Sequence, residues 1–254
     1  MRLKDKTVII TGAGSGNGKE IAVLFAKEGA QVILGDINES SGNSVCKQIV
    51  SFGGKATFVK CDVTSESDAK AIVDAAIKTY GKLDILVNNA GIGLWGTVET
   101  METVAWDKVM EVNVKSVFLM SKYAVTAMKA GSGDRNIINI GSGAGVIGCG
   151  NSVAYCASKG AVVNLTRAMA SDHAVEGIRV NCVCPGIVDT PFNDAILNSL
   201  KDPTDARRGQ EGAALLNRLQ KPEEVAKACL FMASEDASFS TGSVLMADGG
   251  ITAR

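Results

Sequence analysis

Tyr155 and Lys159 stand four residues apart in Ala154-Tyr155-Cys156-Ala157-Ser158-Lys159-Gly160, at the start of a stretch with helical periodicity. That spacing puts both side chains on one helical face. An ammonium beside a phenol favours the phenolate and draws the tyrosine pKa toward neutrality, so the pair could donate and accept a proton. Ser142 follows the apolar run Ile137-Ile138-Asn139-Ile140, where its hydroxyl could orient a substrate oxygen. Asn113 is an amide inside an otherwise core-like helical stretch. Taken singly, each has a plain structural reading: a core aromatic, a solvated charge, a helix cap and a buried polar bridge.

A second set of residues suits a phosphate. Thr11-Gly12-Ala13-Gly14-Ser15-Gly16-Asn17-Gly18 lies between an apolar run and the helical Lys19-Glu20-Ile21-Ala22. Glycines there let backbone N–H groups and a helix N-terminus face a pyrophosphate. Gly12, Gly16 and Gly18 are the expected direct contributors, with Ser15 and Asn17 beside them. The next apolar run, Val32-Ile33-Leu34-Gly35, ends at Asp36. A carboxylate in that place accepts hydrogen bonds from a ribose diol and repels a 2′-phosphate. No Arg or Lys follows in Ile37-Asn38-Glu39, so NAD is expected and NADP disfavoured. Asp62 and Val63, after the third run, could meet the adenine, and Asn88-Asn89-Ala90-Gly91 brings a small-residue turn after the fourth.

These residues need a scaffold that gathers strand ends. Strand-length apolar runs are read at Thr7–Thr11, Gln31–Asp36, Ala56–Cys61, Ile85–Val87, Asn136–Ile140, Arg179–Cys184 and Ser243–Met246. Helical patterns lie between them near residues 17–28, 39–52, 66–79, 104–129, 154–175 and 222–233. Continuous Val/Ile/Leu runs suit parallel strands covered on both faces. The alternation predicts a single α/β domain over 1–254, a doubly wound, mostly parallel seven-stranded sheet with helices on both faces. Right-handed crossovers would set every strand's C-terminal end on one rim, where ligands bind. The polar stretch from Pro185 to Pro222 reads as a long loop, and about 187–220 as a lid over that rim.

Composition narrows the function. The chain has 254 residues, net charge −1 and 26 basic against 27 acidic residues, which gives no broad positive field for nucleic acid. No apolar run reaches membrane-spanning length, and the charged Met1–Lys6 segment shows no apolar leader, so a cytoplasmic protein is expected. Seven scattered cysteines without C-x-x-C read as reduced thiols. Cys182 and Cys184 alternate on one strand and read as core. The single histidine excludes multi-histidine metal sites, and no metal is expected. His173 would lie about 27 Å along the helix from Tyr155 and is read as structural. Trp95 divides evenly between substrate contact and packing, and Arg207-Arg208 reads as a solvated charge run.

Together these pieces resemble the short-chain dehydrogenase/reductase family along essentially the whole chain. The matching motifs are Thr11-Gly12-x-x-x-Gly16-x-Gly18, Asp62-Val63, Asn88-Asn89-Ala90-Gly91, Asn113, Ser142, Tyr155-x-x-x-Lys159, Pro185-Gly186 and Asp248-Gly249-Gly250. The resemblance implies a Rossmann fold in which Tyr155 is the general acid/base. Lys159 would lower its pKa and hold the nicotinamide ribose, Ser142 would polarise the substrate oxygen, and Asn113 would anchor a relay water. Pro185, Gly186, Ile187, Val188 and Thr190 would line the nicotinamide pocket, and a homotetramer would form through the 104–129 and 154–175 helices. Asn17 departs from the family, which usually has an apolar residue there.

The expected activity is NAD-dependent interconversion of a secondary alcohol and a ketone. A small polar hydroxylated substrate, such as a sugar or polyol, is favoured by the Asp, Asn and Arg content of the lid. A 3-oxoacyl-carrier-protein reductase is the main alternative. Asp36 counts against it, as does Ser171, where such reductases commonly carry an arginine. A non-catalytic nucleotide-sensing module is the alternative of another class, and the complete Tyr–Lys set argues against it.

Overall fold

The apolar runs form β1 (Thr7–Thr11), β2 (Gln31–Asp36), β3 (Lys55–Lys60), β4 (Ile85–Asn88), β5 (Arg135–Ile140), β6 (Ile178–Pro185) and β7 (Val244–Ala247). Every expected strand is present to within a residue at each end. They make one sheet in the order β3-β2-β1-β4-β5-β6-β7, and every pairing is parallel. The computed structural model describes residues 1–198 and 202–253; residues 199–201, inside the expected lid, and 254 lie outside the described residues.

Successive strand residues feed two cores on opposite faces. Val8, Ile10, Val32, Leu34, Ile85 and Val87 pack on one side, and Ile9, Ile33, Leu86 and Ile137 on the other. This is the period of two of a pleated strand, buried on both faces and therefore continuous in hydrophobicity. The first face is covered by α1 (Gly16–Lys27), α2 (Glu39–Ser51) and α9 (Pro222–Ala233). The second is covered by α3 (Glu66–Tyr80), α5 (Ser116–Lys129) and α6 (Val153–His173).

Two expectations need correction. The 104–129 stretch is not one regular helix. It runs as α4 (Thr103–Met110), a π turn over Glu111–Lys115, and then α5. The polar Pro185–Pro222 stretch is not a plain loop either, since it holds α7 (Pro191–Asn198) and α8 (Pro203–Ala213). Both begin on a proline, whose fixed φ suits the first helical position. Asp202 caps α8 by accepting the Asp205 N–H at 3.0 Å.

Candidate active site

The strands end on one rim around a crevice of about 1010 Å³, large enough for a dinucleotide with a small molecule beside it. Its wall includes Gly12, Ser15, Gly16, Asn17, Asp36, Asp62, Val63, Asn89, Ala90 and Gly91 at one end. Ser142, Tyr155, Lys159, Pro185, Gly186, Val188 and Thr190 line the other.

The glycine turn is tied down from both neighbouring strands. Thr11 Oγ1 accepts the N–H groups of Asn89 and Ala90 at 3.0 and 3.1 Å, and Asn89 Nδ2 donates to the Thr11 and Gly12 carbonyls at 2.9 and 3.2 Å. Asp36 accepts from Gly14 N–H through Oδ2 and from Asn38 N–H through Oδ1, each at 2.8 Å. Two amides thus fix the carboxylate at the crevice edge, and each oxygen keeps a lone pair for a diol. Gly16 opens α1, so the positive end of that helix faces the crevice. Asp62 Oδ1 accepts the backbone and hydroxyl hydrogens of Thr64 at 2.9 and 2.7 Å, which holds its carboxyl below the usual range.

Gly18 does not line the crevice, contrary to expectation. A Cβ there would lie 2.1 Å from the Gly12 carbonyl oxygen and 2.6 Å from Asn89 Nδ2. Its role is to let α1 close against the turn. Gly18→Ala is expected to destabilise the fold by about 1 to 3 kcal/mol, as overpacking does, and to weaken cofactor binding; thermal melts with and without NAD check both.

At the other end, α6 delivers Tyr155 and Lys159 one turn apart. Lys159 Nζ donates to the Ile140 carbonyl at 2.8 Å and lies 5.8 Å from the Tyr155 ring centroid. Ser142 Oγ accepts the Ala144 N–H at 3.2 Å, and its hydroxyl is close enough to the phenol to lower the Tyr155 pKa. The Gly143–Gly145 turn presses directly on α6: a Cβ on Gly145 would lie 2.7 Å from the Lys159 carbonyl. Only a bare backbone lets Ser142 approach Tyr155 in this way.

The electrostatics of the protein alone differ from the sequence expectation. Burial pushes the Tyr155 phenol up to about 12, and the Ser142 hydrogen bond pulls it back only in part. Burial also draws the Lys159 ammonium down to about 8. Desolvation disfavours both charged forms, and it outweighs the attraction that the four-residue spacing suggested. Between about pH 8 and the ordinary lysine value of 10.5, the unfolded chain therefore binds more protons at Lys159 than the folded one. Stability should rise with pH through that window, by roughly 3 kcal/mol in full. Tyr155 acts in the opposite sense from pH 10.0 to about 12, where the folded chain keeps a proton and stability falls. Denaturant titrations of the protein alone should show the first rise, and Lys159→Met should lack it.

Asn113 sits in the π turn, behind the crevice wall rather than on it. Its Oδ1 accepts the Ile92 N–H at 2.8 Å, and its Nδ2 donates to the Ile92 carbonyl at 2.9 Å and to Ser158 Oγ at 3.0 Å. These three bonds brace the Gly91-Ile92 turn against α6. Asn17 lines the crevice with its Oδ1 buried and without a hydrogen-bond partner.

Sequence reasoning missed Phe192. It lies on α7 with its ring centroid 6.3 Å from that of Tyr155, while Trp95 lies at 5.6 Å. The Thr190-Pro191 pair that starts α7 was the available signal, because it turns the next side chain toward the rim. Asn193 and Gln210 join α7 to α8 through a double amide bond of 2.8 and 3.0 Å. Arg207 pairs with Asp189 at 3.0 Å and Glu211 at 3.4 Å, so its charge is already matched. His173 contacts Glu176 at 2.8 Å, away from the crevice, and the buried Cys182 and Cys184 thiols lie 3.7 Å apart beneath Gly141.

Comparison with known proteins agrees with this layout. Residues 12–252 match the family model described as Enoyl-(Acyl carrier protein) reductase. An uncharacterized oxidoreductase of Thermotoga maritima is 45% identical over 100% of both chains. A cyclopentanol dehydrogenase of Comamonas sp. is 42% identical over 99% of each. The ligand-free aldohexose dehydrogenase of Thermoplasma acidophilum superposes with a TM-score of 0.88 at 38% identity, over 99% of this chain and 96% of that one. No helix among the described residues is long and apolar enough to cross a membrane. The chain belongs to the short-chain dehydrogenase/reductase family of NAD(P)-using oxidoreductases.

Proposed function

We propose that the protein is an NAD-preferring dehydrogenase that interconverts a small secondary alcohol and its ketone, with Tyr155 as the proton-exchanging group. The observation that carries this reading is the shared crevice: Ser142, Tyr155 and Lys159 meet at one end, and the glycine turn and Asp36 stand at the other. The bare backbone at Gly12 and Gly16, the α1 N-terminus and the diol-ready carboxylate fit a dinucleotide without a 2′-phosphate. When bound, the nicotinamide supplies the hydride donor or acceptor.

The chain's own groups handle the proton and the oxygen. Ser142 donates a hydrogen bond to the carbonyl oxygen, which polarises it. Tyr155, held protonated at neutral pH by burial, gives its proton to the developing alkoxide in reduction, and its phenolate accepts the hydroxyl proton in oxidation. Lys159 supports the resulting phenolate while it carries its charge. Asn113 acts as a positioning residue that holds the Gly91 turn against Lys159, since a Cβ on Gly91 would lie 3.2 Å from Asn113 Oδ1 and 3.6 Å from Lys159 Nζ. The relatives named above act on a cyclic alcohol and an aldohexose, which supports a small hydroxylated substrate here.

The test is a panel of alcohols, sugars, ketones and a 3-oxoacyl thioester run with both cofactors, read by the absorbance of reduced nicotinamide. The best secondary alcohol should turn over faster with NAD than with NADP. Turnover of the thioester alone, with NADPH, overturns the reading. A homotetramer is the expected assembly; Phe118, 53% exposed, and Val104, 76% exposed, give the α4–α5 face apolar surface to bury, and sedimentation measures the state.

A further inference from the structure

Trp95 and Phe192 reach the crevice from separate segments, the turn after β4 and the first turn of α7, yet their rings converge. A Cβ on Gly93 would lie 2.7 Å from Trp95 Cζ2 and 3.0 Å from Phe192 Cζ. Both ring edges therefore border the space over a residue that has no side chain to fill it. Both rings flank Tyr155, at centroid distances of 5.6 and 6.3 Å with tilts of 51° and 36°. Phe192 remains 40% exposed although it lines the crevice. It is an apolar ring that the fold leaves open beside the Tyr155 ring.

Three polar side chains of the lid on this side already have partners. The Asn193 and Gln210 amides pair with one another, and Arg207 is matched by two carboxylates. What the wall offers a substrate is aromatic face and edge. Such surfaces bind the C–H face of a saturated ring well, because the face is rigid, apolar and carries slightly positive hydrogens. A flexible open chain gains less and loses more freedom on being ordered.

Building on the reading of the site as a secondary-alcohol dehydrogenase, we infer that Trp95 and Phe192 form an aromatic wall that selects substrates whose carbinol carbon belongs to a saturated ring. With the hydroxyl on Tyr155 and Ser142, the carbons adjoining the carbinol must lie along the two flanking rings. A carbocycle and a pyranose share this chemistry. They differ in the hydroxyls that the ring carries.

The experiment compares kcat/KM for cyclohexanol, an aldopyranose and 2-butanol, with NAD, in the wild type and in Trp95→Ala, Phe192→Ala and Trp95→Phe. The wild type should favour at least one ring substrate over 2-butanol by about tenfold or more, and the favoured ring identifies carbocycle or sugar. Each alanine variant should lower the ring-to-chain ratio by about tenfold, mainly through KM, as the loss of one aromatic contact does. Trp95→Phe should restore most of the ratio. An unchanged ratio in both alanine variants, or no ring preference in the wild type, overturns the wall. The parent reading has a separate signature: turnover of 2-butanol that Tyr155→Phe silences. If that turnover is present and the ratio does not move, only the wall fails. If no secondary alcohol is oxidised with either cofactor, the parent reading fails and takes the wall with it.

Discussion

Tyr155→Phe is expected to lower kcat by about 10³-fold, within the span that a positioned acid/base contributes, while the protein still folds and binds NAD. The phenylalanine ring keeps the contacts with Trp95 and Phe192 at 5.6 and 6.3 Å. The glycine turn and Asp36 sit at the far end of the crevice and are untouched. What disappears is the hydroxyl that burial keeps protonated. Neither His173, which lies away from the crevice with Glu176, nor Cys149, whose thiol pKa burial raises, stands ready to replace it. Steady-state kinetics with cofactor titration check the outcome, and a kcat within tenfold of wild type would remove Tyr155 from the reaction.

Asp36→Asn is the second large effect. Like charges about 4 Å apart repel by about 4 kcal/mol at the effective dielectric typical of a protein surface. Salt and the crevice opening reduce that, so the ratio of kcat/KM for NADP over NAD should rise by about 100-fold in the variant. NAD efficiency should fall by less, since an amide oxygen still accepts from a diol but more weakly than a carboxylate. Asparagine can also keep one of the two backbone bonds, to Gly14 or Asn38, that shape the turn. A wild type that uses NADP better than NAD, or a variant with an unmoved ratio, would sink the assignment.

The strands were legible because a parallel strand covered on both faces is mostly apolar along its run and not alternating. β1, β4, β5 and β6 are buried along their whole length. α7 and α8 were not legible, and α8 shows why. It has no buried residue, so it carries no apolar stripe; only Pro203 and the Asp202 cap mark its start. The π turn at Glu111–Lys115 also left no pattern, because one extra residue per turn shifts the register by less than a short stretch of sequence reveals. The identity of Ser142, Tyr155 and Lys159 could be read from residue types and spacing. Their ionisation could not, since spacing reports proximity and says nothing of how much water the fold removes. The partners of Asn113 were hidden for a related reason: an amide in a helix announces a hydrogen-bonding role, but only the packed structure shows that it bonds Ile92 and Ser158.

Ser142, Tyr155 and Lys159, the groups proposed to handle the proton, all lie on the continuous β5–α6 segment, whereas Trp95 and Phe192 come from two turns elsewhere in the chain. Inheritance can therefore act on the two independently. Mutations at residues 92–96 and 191–198 could reshape what enters the crevice while the acid/base geometry stays fixed by the Gly145 contact and the Ile140 carbonyl. A library confined to those two turns should yield new substrate preferences at a nearly constant maximal rate for each accepted alcohol. That division makes the scaffold easy to diversify, since a change of diet need not cost the chemistry.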